Sequence, residues 1–191
     1  MTGNNNTKFV VWSPKGGVGT TTTVAGLSCL LASKGVETLA VGDVDLERAL
    51  GLPPSCEDDT VPVPAGERLS FSYSVSGSLD LPPGLVIDAG SYPEVWLDDL
   101  PNLRSVMMVR ACYLAIQAVK DYGPLPENTA IINIREPNRA LRFSDVLAVF
   151  PDNSCIIDLP YDPAVSRSVD SGLMIHRSPV AFEKLEVLFD E

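Results

Sequence analysis

The chain has 191 residues, 45% of them hydrophobic and 20% charged, which excludes a disordered tail or a fibrous repeat and bounds it to about one domain. Lys plus Arg number 14 against 25 Asp plus Glu, a net charge of −11, so the surface as a whole cannot wrap nucleic acid and any DNA contact must come from a local patch.

Residues 1–7, Met-Thr-Gly-Asn-Asn-Asn-Thr, are polar, lack the apolar stretch of a signal peptide and are expected to be flexible. Residues 8–191 are expected to form one domain. Short apolar runs then recur: Phe9 to Trp12, Thr38 to Val41, Leu85 to Ile87, Val106 to Val109, Ala130 to Ile134 and Cys155 to Ile157. Runs of this length predict strands buried on both faces, the mark of a parallel sheet. Between them, helices are predicted over 20–33, 111–122, 145–150, from Pro163 to about Gly172, and 180–189. Asp162 stands as a cap before Pro163, and Ser178-Pro179 opens the last helix in the same way. Strand and helix alternate, which gives an α/β class with a mainly parallel sheet flanked by helices. Leu52 to Gly66, rich in proline and acid, reads as an irregular loop. Leu69 to Val75 alternates strictly and predicts an antiparallel edge strand with one wet face.

The four cysteines, Cys29, Cys56, Cys112 and Cys155, form no CxxC pair, and the single histidine, His176, has no partner near it in sequence. They read as reduced, mostly buried thiols of a cytoplasmic protein. No apolar run approaches the roughly 20 residues needed to span a bilayer.

The segment Ser13-Pro14-Lys15-Gly16-Gly17-Val18-Gly19-Thr20-Thr21-Thr22-Thr23 follows the first strand and opens the first helix. Glycines let successive N–H groups converge on one anion, and the helix start behind them adds positive dipole. Hydroxyls at that start can ligate Mg²⁺. Strand, glycine loop and hydroxyl-rich helix together predict a bound nucleotide phosphate. Asp45 and Asp88 fall at the carboxyl ends of predicted strands, where open α/β sheets bind ligands. Each aspartate alone, Asp43 included, also reads as a turn or cap residue. Arg135, Arg139 and Arg142 cluster after a strand of an otherwise acidic chain. They read as a solvated, salt-bridged face or as a phosphate-backbone patch.

Against G-x-x-x-x-G-K-[ST], Pro14 replaces the first glycine and Thr20 the lysine. Lys15-Gly16-Gly17-Val18-Gly19, with Thr21 at the hydroxyl position, resembles instead the deviant phosphate loop of the ParA/MinD family of dimeric ATPases. The resemblance runs through nearly the whole chain and implies a three-layer P-loop NTPase-like fold, ATP or ADP with Mg²⁺ as cofactors, and a nucleotide-sandwich homodimer. It implies that Lys15 reaches the nucleotide of the other subunit, and that Gly16 to Thr22 hold the phosphates. Asp43-Val44-Asp45 resembles the family's Asp-x-Asp, which puts Asp45 near the attacking water and the metal, although Leu46-Glu47 stands where Pro-Gln is common. Leu85 to Asp88 resembles the Walker B strand, whose aspartate orients Mg²⁺ through water. Asn133 matches the asparagine that contacts adenine, and Pro160 and Asp162 the segment over the base. Family members bind DNA through arginines in the region of Arg135, Arg139 and Arg142, or act with a ParB-like protein partner.

MinD members end in a membrane-binding amphipathic helix. Here Glu183, Glu186, Asp190 and Glu191 stand against Lys184, so the last helix is expected to pack on the sheet rather than on anionic lipid. Threonine at position 20 cannot neutralise charge growing on the γ-phosphate. The expectation is therefore a weak ATPase or nucleotide-dependent switch in partitioning of DNA or positioning of a complex. The alternative is a degenerate, non-hydrolysing nucleotide-binding interaction protein. A kinase-like transferase is weakened by the lack of a phosphate-lid arginine run.

Overall fold

The first apolar run forms β1, Lys8–Trp12, and Phe9 to Trp12 are fully buried, as an unbroken hydrophobic run requires. The structure, a computed structural model, describes residues 7–54, 61–75, 81–100, 102–176 and 180–189. After β1 come α1 (Thr20–Ser33), β2 (Thr38–Val41), α2 (Val44–Ala49), β3 (Val63–Pro64), β4 (Leu69–Ser72) and β5 (Gly84–Asp88). There follow α3 (Glu94–Asp99), β6 (Arg104–Arg110), α4 (Tyr113–Tyr122), β7 (Ala130–Arg135), α5 (Phe143–Leu147), β8 (Ile156–Pro160) and α6 (Pro163–Asp170). Val180–Phe189 is a 3-10 segment rather than the α-helix its periodicity predicts.

The strands form one sheet in the order β3-β4-β2-β5-β1-β6-β7-β8. β2 pairs in parallel with β4 and β5, as β7 does with β6 and β8, whereas β3 runs antiparallel to β4. This is the mainly parallel, helix-flanked sheet that the alternation of elements implies.

One strand is corrected. The Leu69 to Val75 run is not an antiparallel edge. Its strand is the shorter β4, which lies inside the sheet and parallel to β2, with Thr38 opposite Leu69 and Val41 opposite Ser72. The edge beside it is the two-residue β3. Serines made the run look wet on one face, yet Ser72 is buried and donates its hydroxyl to the Ser74 carbonyl at 2.8 Å. A hydroxyl satisfied by its own chain can be buried at small cost, so alternation did not report exposure here.

The chain packs as two compact units, with β1 contributing to both. One consists of the described parts of Met1–Phe9, Thr21–Asp88 and Asp162–Glu191. In it the 3-10 segment buries Phe182, Leu185 and Leu188, Phe182 lies over Gly26 of α1, and Phe189 meets the Phe9 ring at 6.0 Å. Lys34 pairs with Glu186 at 2.7 Å. Val180–Phe189 thus packs on β1 and α1. The expected opening at Ser178-Pro179 lies outside the described residues, as do Cys56 and the acidic run Glu57 to Asp59.

The other unit consists of Val10–Thr20 and Ala89–Tyr161. Its core gathers Trp12, Met107, Val109, Ile116, Ile131 and Val146. The indole of Trp12 donates to Ser105 Oγ at 2.9 Å, and its ring lies 4.6 Å from that of Tyr122. Among the described residues no helix is long and apolar enough to cross a membrane.

Candidate functional site

β1 delivers the chain into the glycine loop. The Ser13 N–H donates to the Gly90 carbonyl at 2.8 Å. The Ser13 hydroxyl accepts from the Lys15 N–H at 3.2 Å and donates to the Lys15 carbonyl at 3.0 Å, which closes the first turn. Gly17 and Gly19 have φ of 75° and 105°, a left-handed backbone that favours glycine. A Cβ on Gly16, Gly17 or Gly19 would meet nothing within 4 Å, so the space beside each of these glycines is open. Val18, 1% exposed, anchors it to the interior. Gly16 and Gly17 form a turn of the loop. Thr20 is the first residue of α1, whose first turn carries no acidic residue to offset the helix dipole. The Lys15 ammonium donates to the Gly16 carbonyl at 3.1 Å, so its side chain lies along its own loop.

Within the first unit, Thr21 Oγ1 donates to Asp88 Oδ2 at 2.7 Å. Asp88 is the last residue of β5, and Gly42 follows β2 beside it; a Cβ on Gly42 would lie 3.2 Å from the Asp88 Cβ. Asp43 is the N-cap of α2, its Oδ1 accepting from the N–H of Asp45 at 2.9 Å and of Leu46 at 3.3 Å. Asp45 sits in the first turn of α2 with its side chain 71% exposed and pairs with Arg48 at 3.5 Å. Thr21 and Asp88 therefore meet, while the Asp45 carboxylate is turned to solvent.

Within the second unit, Asn133 is buried on β7 and its Nδ2 donates to Asp158 Oδ1 at 2.8 Å. Its Oδ1 is buried with no hydrogen-bond partner, a state that costs about 1–3 kcal/mol. Asp158 Oδ2 lies 3.1 Å from Arg135 Nε. Arg139 pairs with Glu136, which also holds Arg110 at 3.2 Å. Arg142 precedes α5 and its N–H donates to Asp145 Oδ2 at 2.6 Å. Arg135 and Arg139 thus each hold an ion pair on a half-exposed side chain. Pro160 ends β8 and is exposed, and Asp162 caps α6 by accepting from the Ala164 N–H at 2.7 Å. Asp158 was not singled out from sequence, because an aspartate in a strand gives no signal until its neighbour across the sheet is known.

Among the described residues no group of three His, Cys, Asp or Glu side chains is arranged to hold a metal ion. Mg²⁺ needs no such cage: it takes one or two protein ligands beside phosphate oxygens and water. The Thr21 hydroxyl and the Asp88 carboxylate are a donor set of that kind.

No protein-family model and no curated protein matches the sequence. Solved structures do match. The MinD cell division protein of Aquifex aeolicus aligns with a TM-score of 0.71 at 19% identity, over 95% of this chain and 95% of that one. The fold is that of the MinD and ParA ATPases. A ParA family ATPase from Chlorobium tepidum aligns with a TM-score of 0.64 at 17% identity, over 94% of this chain and 97% of that one. A putative plasmid partition protein from Borrelia burgdorferi, solved bound to AMPPNP, aligns with a TM-score of 0.63 at 15% identity, over 93% and 98%. The MinD/ParA likeness thus spans nearly the full length of each chain, and at these identities it is a likeness of fold.

Proposed function

We propose that the chain is a ParA/MinD-like protein that binds ATP with Mg²⁺ and acts as a nucleotide-dependent dimerisation switch in partitioning of DNA or positioning of a complex. The observation that carries this reading is the glycine loop with open space beside Gly16, Gly17 and Gly19, followed in the chain by the Thr21–Asp88 hydrogen bond. The AMPPNP bound to the Borrelia protein of the same fold supports ATP as the ligand.

In this reading the N–H groups of Gly16 to Gly19, with those of Thr20 to Thr22 at the start of α1, bind the phosphates. Thr21 would hold Mg²⁺ through its hydroxyl, with Asp88, its hydrogen-bond partner, orienting that hydroxyl. Mg²⁺, when bound, offsets charge on the β- and γ-phosphates. Asp45 turns from Arg48 to orient the attacking water. Its exposed i,i+3 pair is worth well under 1 kcal/mol and does not hold it back. Lys15 leaves the Gly16 carbonyl to reach the nucleotide of a second copy. Asn133, Pro160 and Asp162 lie at the base. A ParB-like protein is the kind of partner such a switch works with.

A second reading keeps the binding and drops the hydrolysis, and Thr20 favours it: no cation stands at the head of α1. Light scattering with a slowly hydrolysed ATP analogue tests the switch. The wild type is expected to dimerise with nucleotide and Lys15→Ala to stay monomeric and folded. A Lys15→Ala protein that dimerises equally well contradicts the sandwich arrangement. Phosphate release then separates a weak ATPase from a non-hydrolysing binder.

A further inference from the structure

Helices α2 and α6 end in the same way. After α2 the Gly51 N–H donates to the Arg48 carbonyl at 2.9 Å and the Leu52 N–H to the Glu47 carbonyl at 3.1 Å. After α6 the Gly172 N–H donates to the Val169 carbonyl at 3.0 Å and the Leu173 N–H to the Ser168 carbonyl at 2.8 Å. These are Schellman caps, and the φ of 72° at Gly51 and 63° at Gly172 is the left-handed backbone that such caps give to glycine. Gly35 closes α1 with the same pair of bonds and a φ of 86°. Gly51 and Gly172 differ from it in that they meet. A Cβ on Gly51 would fall 2.0 Å from the Gly172 carbonyl oxygen, and one on Gly172 would fall 3.0 Å from the Gly51 Cα. A Cβ on Gly35 would meet nothing within 4 Å.

The contact is backbone on backbone, so no side chain can swing aside to relieve it. It seats the far end of α2 on α6. The near end of α2 lies at the candidate site. There Leu46 is buried, a Cβ on Gly42 would stand 2.7 Å from its Cδ2, and Gly42 lies beside Asp88. Asp45 is in this first turn. A helix of six residues does not hold itself in water, so its direction is set by these two attachments.

We propose that Gly51 and Gly172 are positioning residues: their backbone contact sets the direction of α2 and with it the place of the Asp45 carboxylate. This rests on the nucleotide-binding reading above, in which Asp45 orients the attacking water. A side chain at position 51 must open the 2.0 Å approach by about 1 Å, and a misplacement of that order costs up to about a hundredfold in rate.

The test compares Gly51→Ala, Gly172→Ala and Gly35→Ala in the full chain. All three pay the same left-handed backbone cost and differ in what the added methyl meets. Phosphate release and calorimetric affinity are measured with ATP and Mg²⁺. Gly51→Ala is expected to slow release about tenfold or more, Gly172→Ala about threefold and Gly35→Ala less than about twofold, with affinity within about threefold of wild type throughout. In an Asp45→Ala background Gly51→Ala is expected to cost nothing further, because the group it positions is gone. Should Gly51→Ala fail to fold, the milder Gly172→Ala carries both comparisons. A folded variant of either glycine that releases phosphate as Gly35→Ala does overturns the inference. So does a loss that persists without Asp45, or one matched by an equal loss of affinity. Wild type that binds ATP and releases no phosphate overturns it and leaves the binding reading standing. Wild type that binds no ATP overturns both.

Discussion

The hydroxyl of Thr21, in the first turn of a helix that starts at a glycine loop, donates to the carboxylate of Asp88 at the end of β5. These residues stand 67 positions apart in the chain, and their 2.7 Å contact joins a hydroxyl and a carboxylate that were singled out separately as metal ligands. Thr21→Ala and Asp88→Asn are each expected to weaken nucleotide binding about tenfold or more in Mg²⁺ and much less in EDTA, since they act through the ion. Titrations in both buffers check this. Equal losses in both would mean the pair serves the fold alone.

In the proposed reading, position 20 sets the rate of hydrolysis. Loss of one charge-assisted contact to the transferring phosphoryl group costs about 3 kcal/mol, near a hundredfold. Thr20→Lys is therefore expected to raise phosphate release by up to about a hundredfold, and the double variant with Asp45→Ala to lose the gain. A wild-type rate already typical of ATPases would show the threonine to be no handicap.

Gly26, buried in α1, lies directly under the Phe182 ring, which leaves no room for a methyl group. Overpacking of about 1–3 kcal/mol opposes about 1 kcal/mol of helix propensity gained, so Gly26→Ala is expected to destabilise by up to about 2 kcal/mol. Adding Phe182→Leu is expected to cost less than the separate changes summed, because the two sites share one space. Urea unfolding of the three variants measures the coupling.

Burial pushes the Cys29 thiol from 9.0 up to about 12. At pH 8 the folded chain is expected to leave Cys29 unalkylated by iodoacetamide, while half-buried Cys112 reacts, as read by peptide mass. The sign for stability follows: below pH 9 both states keep the proton and the shift contributes nothing to the pH dependence. Above it the unfolded chain sheds the proton first and binds fewer, so stability falls as pH rises from 9 toward 12.

The sequence carried the α/β class, the buried strands and the glycine loop before α1, because each has a local signature: apolar runs for β1 and β5, and glycines in sequence order before a helix. It did not carry α3, whose residues are none of them buried, nor β3, two residues long. It misjudged β4, whose serines are satisfied within their own strand end. The last segment has helical periodicity, yet it is set by the packing of Phe182 and Phe189 on α1 and β1, which no local signal records. At the candidate site, Thr21 and Asp88, singled out by position, are brought together. The Asn133–Asp158–Arg135 chain was not, since it exists only once β8 is registered against β7.

Calorimetric titration of the full chain with ATP in Mg²⁺ tests the central claim most directly. The account predicts saturable binding at one site per chain, weakened by Gly17→Val, which puts a β-branched side chain at a φ of 75° where the loop must stay open. Absence of binding at millimolar ATP, or binding that Gly17→Val leaves unchanged, would contradict it.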